Sequence, residues 1–440
     1  MIRREVITEP CLLRPFLPSI ACSPLPSIVG ANVARPRAKG RLERRIPHAA
    51  RPPPSFMKRV LIIGAGLAGS VLARRLAEAG VPSLVIDRRD HVAGLCYSSR
   101  DEETGVDVHR YGPHIFHTNS ERVWTFVQRF VPWVSWVNTI MATNARGVFS
   151  LPINLHTINQ LYGTRLTPSQ ARSFIESKQD KSITNPANAE EQLLRFVGRD
   201  IYETFFRDYS TKQWGVSPRE MPADIIKRIP IRFHYGENYY NDLYQGFPVG
   251  GYTLFVQRML EHELIEVKTA TPFDKAMEAE FAHCFYSGPL DAYFDYAAGE
   301  LGYRTLDFRY ERGRGTLQGC GCLNYTDMSE TFTRGHEHKF FSPWEQHEHS
   351  VVVYEYSREA ARGDDGYYPK RFAGDMRKLA DYLKLVDQTE RLSFIGRLGC
   401  YRYLDMHQVI ASSLDYADRY LAALSRHELS ELPKMSVNPL

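Results

Sequence analysis

Arg59-Val-Leu-Ile-Ile-Gly64-Ala-Gly66-Leu-Ala-Gly69-Ser70 is the stretch on which the reading of this chain turns. Its apolar run reads as a buried parallel strand. Gly64, Gly66 and Gly69 let the chain turn tightly and bring backbone N–H groups, those of Leu67 and Ala68 among them, up to a pyrophosphate. From Ser70 to Glu78 the residues Val71, Leu72 and Leu76 recur at helical spacing, so a helix N-terminus points at that anion. After Gly80, Val81-Pro-Ser-Leu-Val-Ile86 reads as a second strand ending at Asp87. A carboxylate there, about 20 residues after the glycines, would accept hydrogen bonds from a ribose. Strand, glycines, helix, strand and acid in this order predict a Rossmann-like α/β unit that binds a dinucleotide. On these residues alone NAD and FAD are both admissible.

The remainder of the chain narrows the class. A length of 440 residues allows for about two or three domains. The formal net charge of +4 is thin, and the first 56 residues hold ten of the 55 Lys and Arg against three of the 51 Asp and Glu. Residues 57–440 are therefore slightly acidic, which argues against a nucleic-acid surface; phosphate binding must come from local arginines. Twenty-five tyrosines suit a polar cleft for a sugar or nucleotide. Seven cysteines at scattered spacing argue for a reducing compartment, here the cytoplasm, and against a disulfide framework. No apolar run is long enough for a transmembrane helix. Residues 1–56, with ten prolines and nine arginines, read as a disordered basic extension. Met57 is expected to be the functional start, and a misplaced translation start accounts for the extension better than a targeting peptide.

Downstream, Arg88-Arg89-Asp90-His91-Val92-Ala93-Gly94-Leu95 forms a glycine-bearing loop that can pass near the cofactor, and a helix follows Ser120. Residues 155–229 read as mainly helical, with Thr167-Pro168 opening one helix, another after Asn185-Pro186, and a third over Asp200–Tyr209. From 232 to 345 short strands with turns predict an antiparallel sheet, while Phe281–Gly288 reads as a strand returning to the nucleotide domain. A helix from about Met406 to Leu424 closes the chain.

Several residues stand out for chemistry. Arg228 ends an apolar helical stretch before Pro230, and alone it reads as a cation on the helix dipole. Arg334 in Thr-Arg334-Gly-His-Glu-His338 is unremarkable by itself, yet two arginines on facing segments would clamp a diphosphate. Tyrosines cluster at 235–244, 367–368 and 401–403. His336, His338, His347 and His349 form two His-x-His pairs, for which a metal site is conceivable but not preferred. Cys320-Gly-Cys322 reads as a pair of reduced strand thiols.

Taken together, the sequence resembles the bacterial UDP-galactopyranose mutases from Met57 to about Tyr420. The resemblance rests on GAGLAG at 64–69, YGPHIFHT at 111–118, KQWG at 212–215, IIKRIP at 225–230, YQGFPVGGYT at 244–253, GPLDAYFDY at 288–296, TRGHEH at 333–338, YYP at 367–369 and GRLGCYRYLDMHQ at 396–408. It implies an FAD-binding domain assembled from 57–140, 248–292 and 385–425, a helical substrate and lid domain at 141–230, and a twisted antiparallel sheet domain at 231–247 and 293–384. It implies interconversion of UDP-galactopyranose and UDP-galactofuranose, the latter feeding cell-surface glycans. The two isomers share an oxidation state, so no net hydride moves. Reduced FAD would supply N5 as a nucleophile at the anomeric carbon. The expected partner is a second copy of the chain, in a homodimer or larger assembly.

By the same resemblance Arg228 and Arg334 are the diphosphate clamp, aided by Tyr239, Tyr368 and Tyr403. Tyr209 and Trp214 hold the uridine end, with Phe205 beside them; Asn138 and Glu355 also match site positions. His117 lies beside the flavin. Gly64, Gly66, Leu67, Ala68, Gly69, Asp87, Arg88, Gly94, Arg397, Asp405 and Met406 contact the cofactor, and the segment around Arg228 is a mobile lid. Two departures from the family pattern are local: Ala93-Gly94-Leu95 stands where Gly-Gly-Asn is usual, and Gly335-His336 replaces an aliphatic pair. The competing classes are an amine-oxidase-like flavin oxidoreductase, which shares the 57–97 unit, and a non-catalytic nucleotide-sugar-binding protein.

Overall fold

The apolar run after Arg59 forms the strand Val60–Ile63, the middle member of a five-stranded, all-parallel sheet. Its order is Ile265–Lys268, Ser83–Ile86, Val60–Ile63, Cys284–Tyr286, Leu392–Phe394. The computed structural model describes residues 58–226 and 231–438, so the expectations for the 1–56 extension, for Met57 and for Arg228 fall outside it. Period-two alternation splits the sheet's side chains between two cores. Val60, Ile62, Val85 and Phe285 join one core with Val71, Leu72, Ile410 and Leu414. Leu61, Ile63, Leu84, Tyr286 and Phe394 join the other with Leu379 and Tyr382. Coverage on both faces is what makes these strands continuous apolar runs.

Register sets the position of the site. Ile63 pairs with Ile86 on one side and Tyr286 on the other, so three strands end level with one another. The glycine turn, Asp87 and Ser287 follow directly from those carboxyl ends, where open α/β sheets hold their ligands.

A second, seven-stranded sheet runs Tyr368–Pro369, Tyr303–Arg314, His349–Glu359, Arg334–Glu337, Cys322–Tyr325, Ile140–Asn144, Gly147–Leu151. It is antiparallel apart from one pair, Cys322–Tyr325 beside Ile140–Asn144, which is parallel. The hairpin over 140–151 therefore belongs to this sheet, although the sequence assigns most of it to the helical segment. The pairing joins residues far apart in the chain and leaves no local mark. Between 232 and 345 the expected run of short antiparallel strands is interrupted. Gly251–Leu260 is a helix, and Ile265–Lys268 and Cys284–Tyr286 are parallel strands of the nucleotide sheet. Tyr244–Pro248 pairs with Phe116–Thr118 and Trp133–Ser135 in a separate three-stranded sheet.

The helical layer follows its capping signals. Thr167 and Gln170 close a capping box on Pro168–Lys178, and the Asn188 side chain accepts from the Glu191 N–H to start Ala189–Val197. After Arg199–Ile201 the backbone widens to a π-helical turn over Tyr202–Phe206 before resuming as Arg207–Trp214. The chain's last long helix, Met406–Arg426, packs against Leu67–Glu78.

Candidate active site

The helix Leu67–Glu78 begins at Gly66 with no capping side chain and no acidic residue in its first turn. Its first N–H groups have no intrahelical acceptor and so favour an anion. Only glycine fits at two points, one in the turn before it and one in its own first turn. Gly64 has φ +109°, and a Cβ there would lie 2.0 Å from Ser287 Oγ; a Cβ on Gly69 would lie 2.0 Å from Gly64 O. Leu67 and Ala68 are buried in the first helical turn. Asp87 is 5% exposed, and its two oxygens accept from the Ala65 N–H at 2.8 Å and the Arg89 N–H at 2.9 Å. It thus ties the second strand to the glycine turn, and each oxygen keeps an acceptor position for a ribose hydroxyl.

The loop after it returns to the same turn. Ala93 N–H donates to Ala65 O at 2.9 Å, and Gly94 lies against Gly66. Ala93 adopts φ +75°, a left-handed conformation that costs a non-glycine residue about 1–2 kcal/mol. A glycine would adopt the same conformation without that cost. Arg88 is exposed and, with Arg89, pairs with Asp365.

At the far end of this region Arg397 donates from Nε to Leu404 O at 3.0 Å and from NH1 to Tyr367 O at 3.0 Å, and lies over the Tyr403 ring. It fixes the loop that leads to Asp405, the N-cap of Met406–Arg426, whose capping box is completed by Gln408. Met406 is half-buried at the first helical position. His117, from Phe116–Thr118, bonds through Nδ1 to Asp242 and stacks on Tyr240 with ring centres 3.7 Å apart. His117, Asp405 and His407 bring ligand atoms within 4.8 Å of one another, but the first two are already committed to Asp242 and the helix cap. The His-x-His residues are scattered: His336 and His338 are buried, His347 bonds Glu345 at 2.9 Å, and His349 is exposed.

Arg334 opens the strand Arg334–Glu337 and is the cross-strand partner of Glu355. Its Nε donates to Glu355 Oε2 at 2.6 Å and its NH2 to the Tyr368 hydroxyl at 3.1 Å. Glu355 is 0% exposed. Burial opposes its charge, but Arg334 and then His336 hold its carboxyl down at about 2. Arg334 is correspondingly locked in its charged form by Glu355 against the pull of burial. Tyr368 stacks on Tyr403 at 5.7 Å and lies 6.5 Å from the Trp214 ring. Tyr209 and Tyr239 lie within the field of Arg334; burial pushes the Tyr209 phenol up, while Tyr239 stays 36% exposed beside it. The structure thus brings Arg334, Glu355, Tyr209, Tyr239, Tyr368, Tyr403 and Trp214 together. Asn138 is 1% exposed, with its Nδ2 unpartnered and its backbone carbonyl accepting the Tyr239 N–H at 2.7 Å. Phe205, 3% exposed and edge-on to Phe149 at 5.1 Å, instead belongs to the core of the helical layer. Arg228 lies outside the described residues.

Three supporting residues escape sequence reading. Arg232 donates to the carbonyls of Asn238 and Tyr239 and to Asn241 Oδ1, so it shapes the loop that carries Tyr239. Asp242 orients His117. Lys212 Nζ reaches the carbonyls of Tyr325, Asp327, Glu330 and Phe332 at 2.7–3.0 Å, docking the KQWG helix end on the sheet. Only Lys212 sits in a recognisable motif; the others act through partners that the fold alone supplies. A surface cavity of about 530 Å³ between Leu67–Glu78 and Glu121–Val127 shares no residue with the Arg334 group, and its arginines are paired with Glu78, Asp415 and Asp418. Among the described residues no helix is long and apolar enough to cross a membrane.

Comparisons with known proteins bear on the same residues. A UDP-galactopyranose mutase family model matches residues 204–403, and an NAD(P)-binding Rossmann-like domain model matches 62–130. A protein of Klebsiella pneumoniae named a probable UDP-galactopyranose mutase is 48% identical over 380 residues, 86% of this chain and 98% of that one. The dTDP-fucopyranose mutase of Escherichia coli is 44% identical over 373 residues, 83% of this chain and 99% of that one. The crystal structure of a reduced UDP-galactopyranose mutase superposes with a TM-score of 0.66 at 19% identity, over 87% of this chain and 98% of that one, which speaks for the fold. The chain therefore belongs to the UDP-galactopyranose mutase family, a family of isomerases.

Proposed function

We propose that this protein interconverts UDP-galactopyranose and UDP-galactofuranose with FAD as its resident cofactor, active in the reduced state. The observation that carries the reading is Arg334, a cation locked by a fully buried carboxylate within a ring of tyrosines, in a chain of this family. The uncapped helix start at Gly66, the glycine turn and Asp87 fit the pyrophosphate and ribose of such a cofactor. Gly94, Arg397, Asp405, Met406 and His117 would line its flavin end. When bound and reduced, FAD supplies an electron-rich N5 nucleophile for the anomeric carbon.

The chain's own residues account for the remaining requirements. Departure of UDP concentrates charge on the diphosphate, which Arg334 and Arg228 would stabilise as it develops. Tyr239, Tyr368 and Tyr403 would donate to phosphate and sugar oxygens. Tyr209 and Trp214 would hold the uridine. His117, oriented by Asp242 through Nδ1, would keep Nε2 available to the flavin end. The five described cysteines are unpaired, which fits a reducing compartment such as the cytoplasm. A homodimer or larger assembly belongs to the same reading.

The test is anaerobic incubation of dithionite-reduced protein with UDP-galactopyranose, without an electron acceptor, followed by chromatography of the nucleotide sugars. Appearance of UDP-galactofuranose is expected. Turnover only with an acceptor, accompanied by substrate oxidation, would overturn the reading in favour of an oxidoreductase. A colourless protein that takes up no FAD would overturn it in favour of a binding protein. Because a 44% identical relative is a dTDP-fucopyranose mutase, dTDP-fucopyranose is run in parallel, and preference for it would reassign the substrate while keeping the reaction.

A further inference from the structure

Behind Arg334 the seven-stranded sheet buries a second polar row that the proposed chemistry leaves unused. Register sets Cys322 opposite His336 on one side, and Arg334 opposite Glu355 on the other. Cys322 and His336 are each 2% exposed and Glu355 is 0%. Cys322 Sγ lies 3.2 Å from His336 Nδ1, and His336 Nε2 lies 3.3 Å from Glu355 Oε1. Neither His336 Nε2 nor Glu355 Oε1 makes a hydrogen bond in the structure; they face each other as a 3.3 Å ion-pair contact, one small ring rotation from a hydrogen bond. Leaving a buried polar atom unpaired costs about 1–3 kcal/mol, so these two facing atoms are best satisfied by each other. Gly112 lies on the opposite side, where a Cβ would come 2.8 Å from Glu355 Oε1, and the buried His114 of the same loop stands in the field of Glu355.

One tautomer of His336 satisfies the whole row. With its hydrogen on Nε2 the ring donates to Glu355 Oε1, and Nδ1 accepts from the Cys322 thiol. The other tautomer sets a lone pair against a carboxylate. The groups facing His336 are Cys322 and the Gly321 carbonyl from one neighbouring strand and its approach, Glu355 from the other, Arg334 and His338 on its own segment, and His109 beyond His338. Burial pushes the Cys322 thiol up to about 12 and lowers His336, so the thiol keeps its proton and the ring stays neutral.

We infer that His336 is a positioning residue for the clamp, its Nε2–H holding the second oxygen of Glu355 so that the carboxylate stays ionised and keeps Arg334 aimed at the diphosphate. The inference rests on the proposed function, and it deepens it. Arg334 meets Glu355 through Nε, which leaves its other nitrogens for Tyr368 and an incoming phosphate. A Glu355 that took up a proton would lose its hold on Arg334 and release the guanidinium from that orientation.

The experiment compares wild-type holoenzyme with His336→Leu and His336→Gln. It reads FAD content and UDP affinity by calorimetry. Loss of a hydrogen bond to a charged group is worth roughly a tenfold effect or more. His336→Leu should keep its FAD and bind UDP about tenfold more weakly. His336→Gln, which keeps a donor, should restore most of that affinity. A UDP affinity unchanged in His336→Leu would overturn the inference, as would a His336→Gln variant as impaired as His336→Leu. A wild-type protein that binds UDP without isomerising the sugar would defeat the functional reading alone, because the UDP affinities still decide the role of His336.

Discussion

Replacing Arg334 by methionine removes the Nε–H from Glu355 and the NH2 donor from Tyr368 while keeping much of the side-chain volume. Glu355 is then a carboxylate with no exposure and no cation against it among the described residues, its nearest polar side chain being the neutral His336 imidazole at 3.3 Å. Breaking a buried pair from one side costs about 3–5 kcal/mol, because the stranded charge must stay unpaired or take a proton. At pH 7 an ordinary glutamate, with a pKa of about 4.3, resists protonation by roughly 3.7 kcal/mol, so the two routes cost about the same. If Glu355 escapes by protonation, the folded variant carries a proton that the unfolded chain lacks. Its deficit should then shrink by about 1.4 kcal/mol for each pH unit lowered from 7 towards 4.5. Adding Glu355→Gln removes the stranded charge and should recover all but about 1 kcal/mol. Both variants should lose turnover by roughly a hundredfold or more, because the clamp is absent in each. Urea unfolding at pH 7 and pH 5.5, followed by circular dichroism on FAD-loaded protein, reads the stability part. A single variant with the wild-type midpoint, or a double variant no more stable than the single, would refute the reasoning.

Other expectations concern separate parts of the molecule. His283 and His338 are buried, and desolvation holds each down at about 3. Both remain neutral when folded and take up protons when unfolded below pH 6.5, so stability should fall by about 1.4 kcal/mol per unit for each, or about 4 kcal/mol for the pair by pH 5; a denaturant midpoint constant from pH 7 to 5 would contradict this. Gly69→Ala drives a Cβ to 2.0 Å from Gly64 O, and should cost several kcal/mol by displacing the turn. Its purified form should be low in FAD; full flavin occupancy at wild-type stability would disprove the close packing. Ala93→Gly relieves a left-handed alanine at φ +75° but loosens the unfolded chain, so it should be neutral to about 1 kcal/mol stabilising in a thermal melt. A clear loss of stability would show that the Ala93 methyl group contributes more by packing than its backbone costs.

How much of this was legible in the residues differs from element to element. The glycine turn, the strand–helix–strand unit and Asp87 follow from the local order of apolar, glycine and acidic residues, and they fold where that order sets them. Capping signals at Thr167 and Ser120 start helices that the structure contains. The sheet around Arg334 was less accessible. Its strands have partners far away in the chain, and the parallel pairing of Leu323–Tyr325 with Met141–Thr143 leaves no trace in either segment alone. Motif resemblance supplied Arg334, Glu355 and the tyrosines as candidates, yet neither Arg232 nor Asp242 falls within a pattern that singles it out. Their roles come from carbonyl and histidine partners brought close by the loop's path. Phe205 shows the converse, a motif neighbour that packing consigns to the core.

By itself the sequence determined the nucleotide-binding unit, because φ > 0 glycine turns and two-residue and 3.6-residue periodicities are local consequences of residue type. The tertiary structure decided what charge each site residue carries. Arg334 becomes a fixed cation only because a strand about 20 residues later aligns Glu355 against it, and His336 reaches Glu355 only because the same register buries both away from water. Ionisation and orientation depend on neighbours and desolvation, and these exist only once the chain has closed around them.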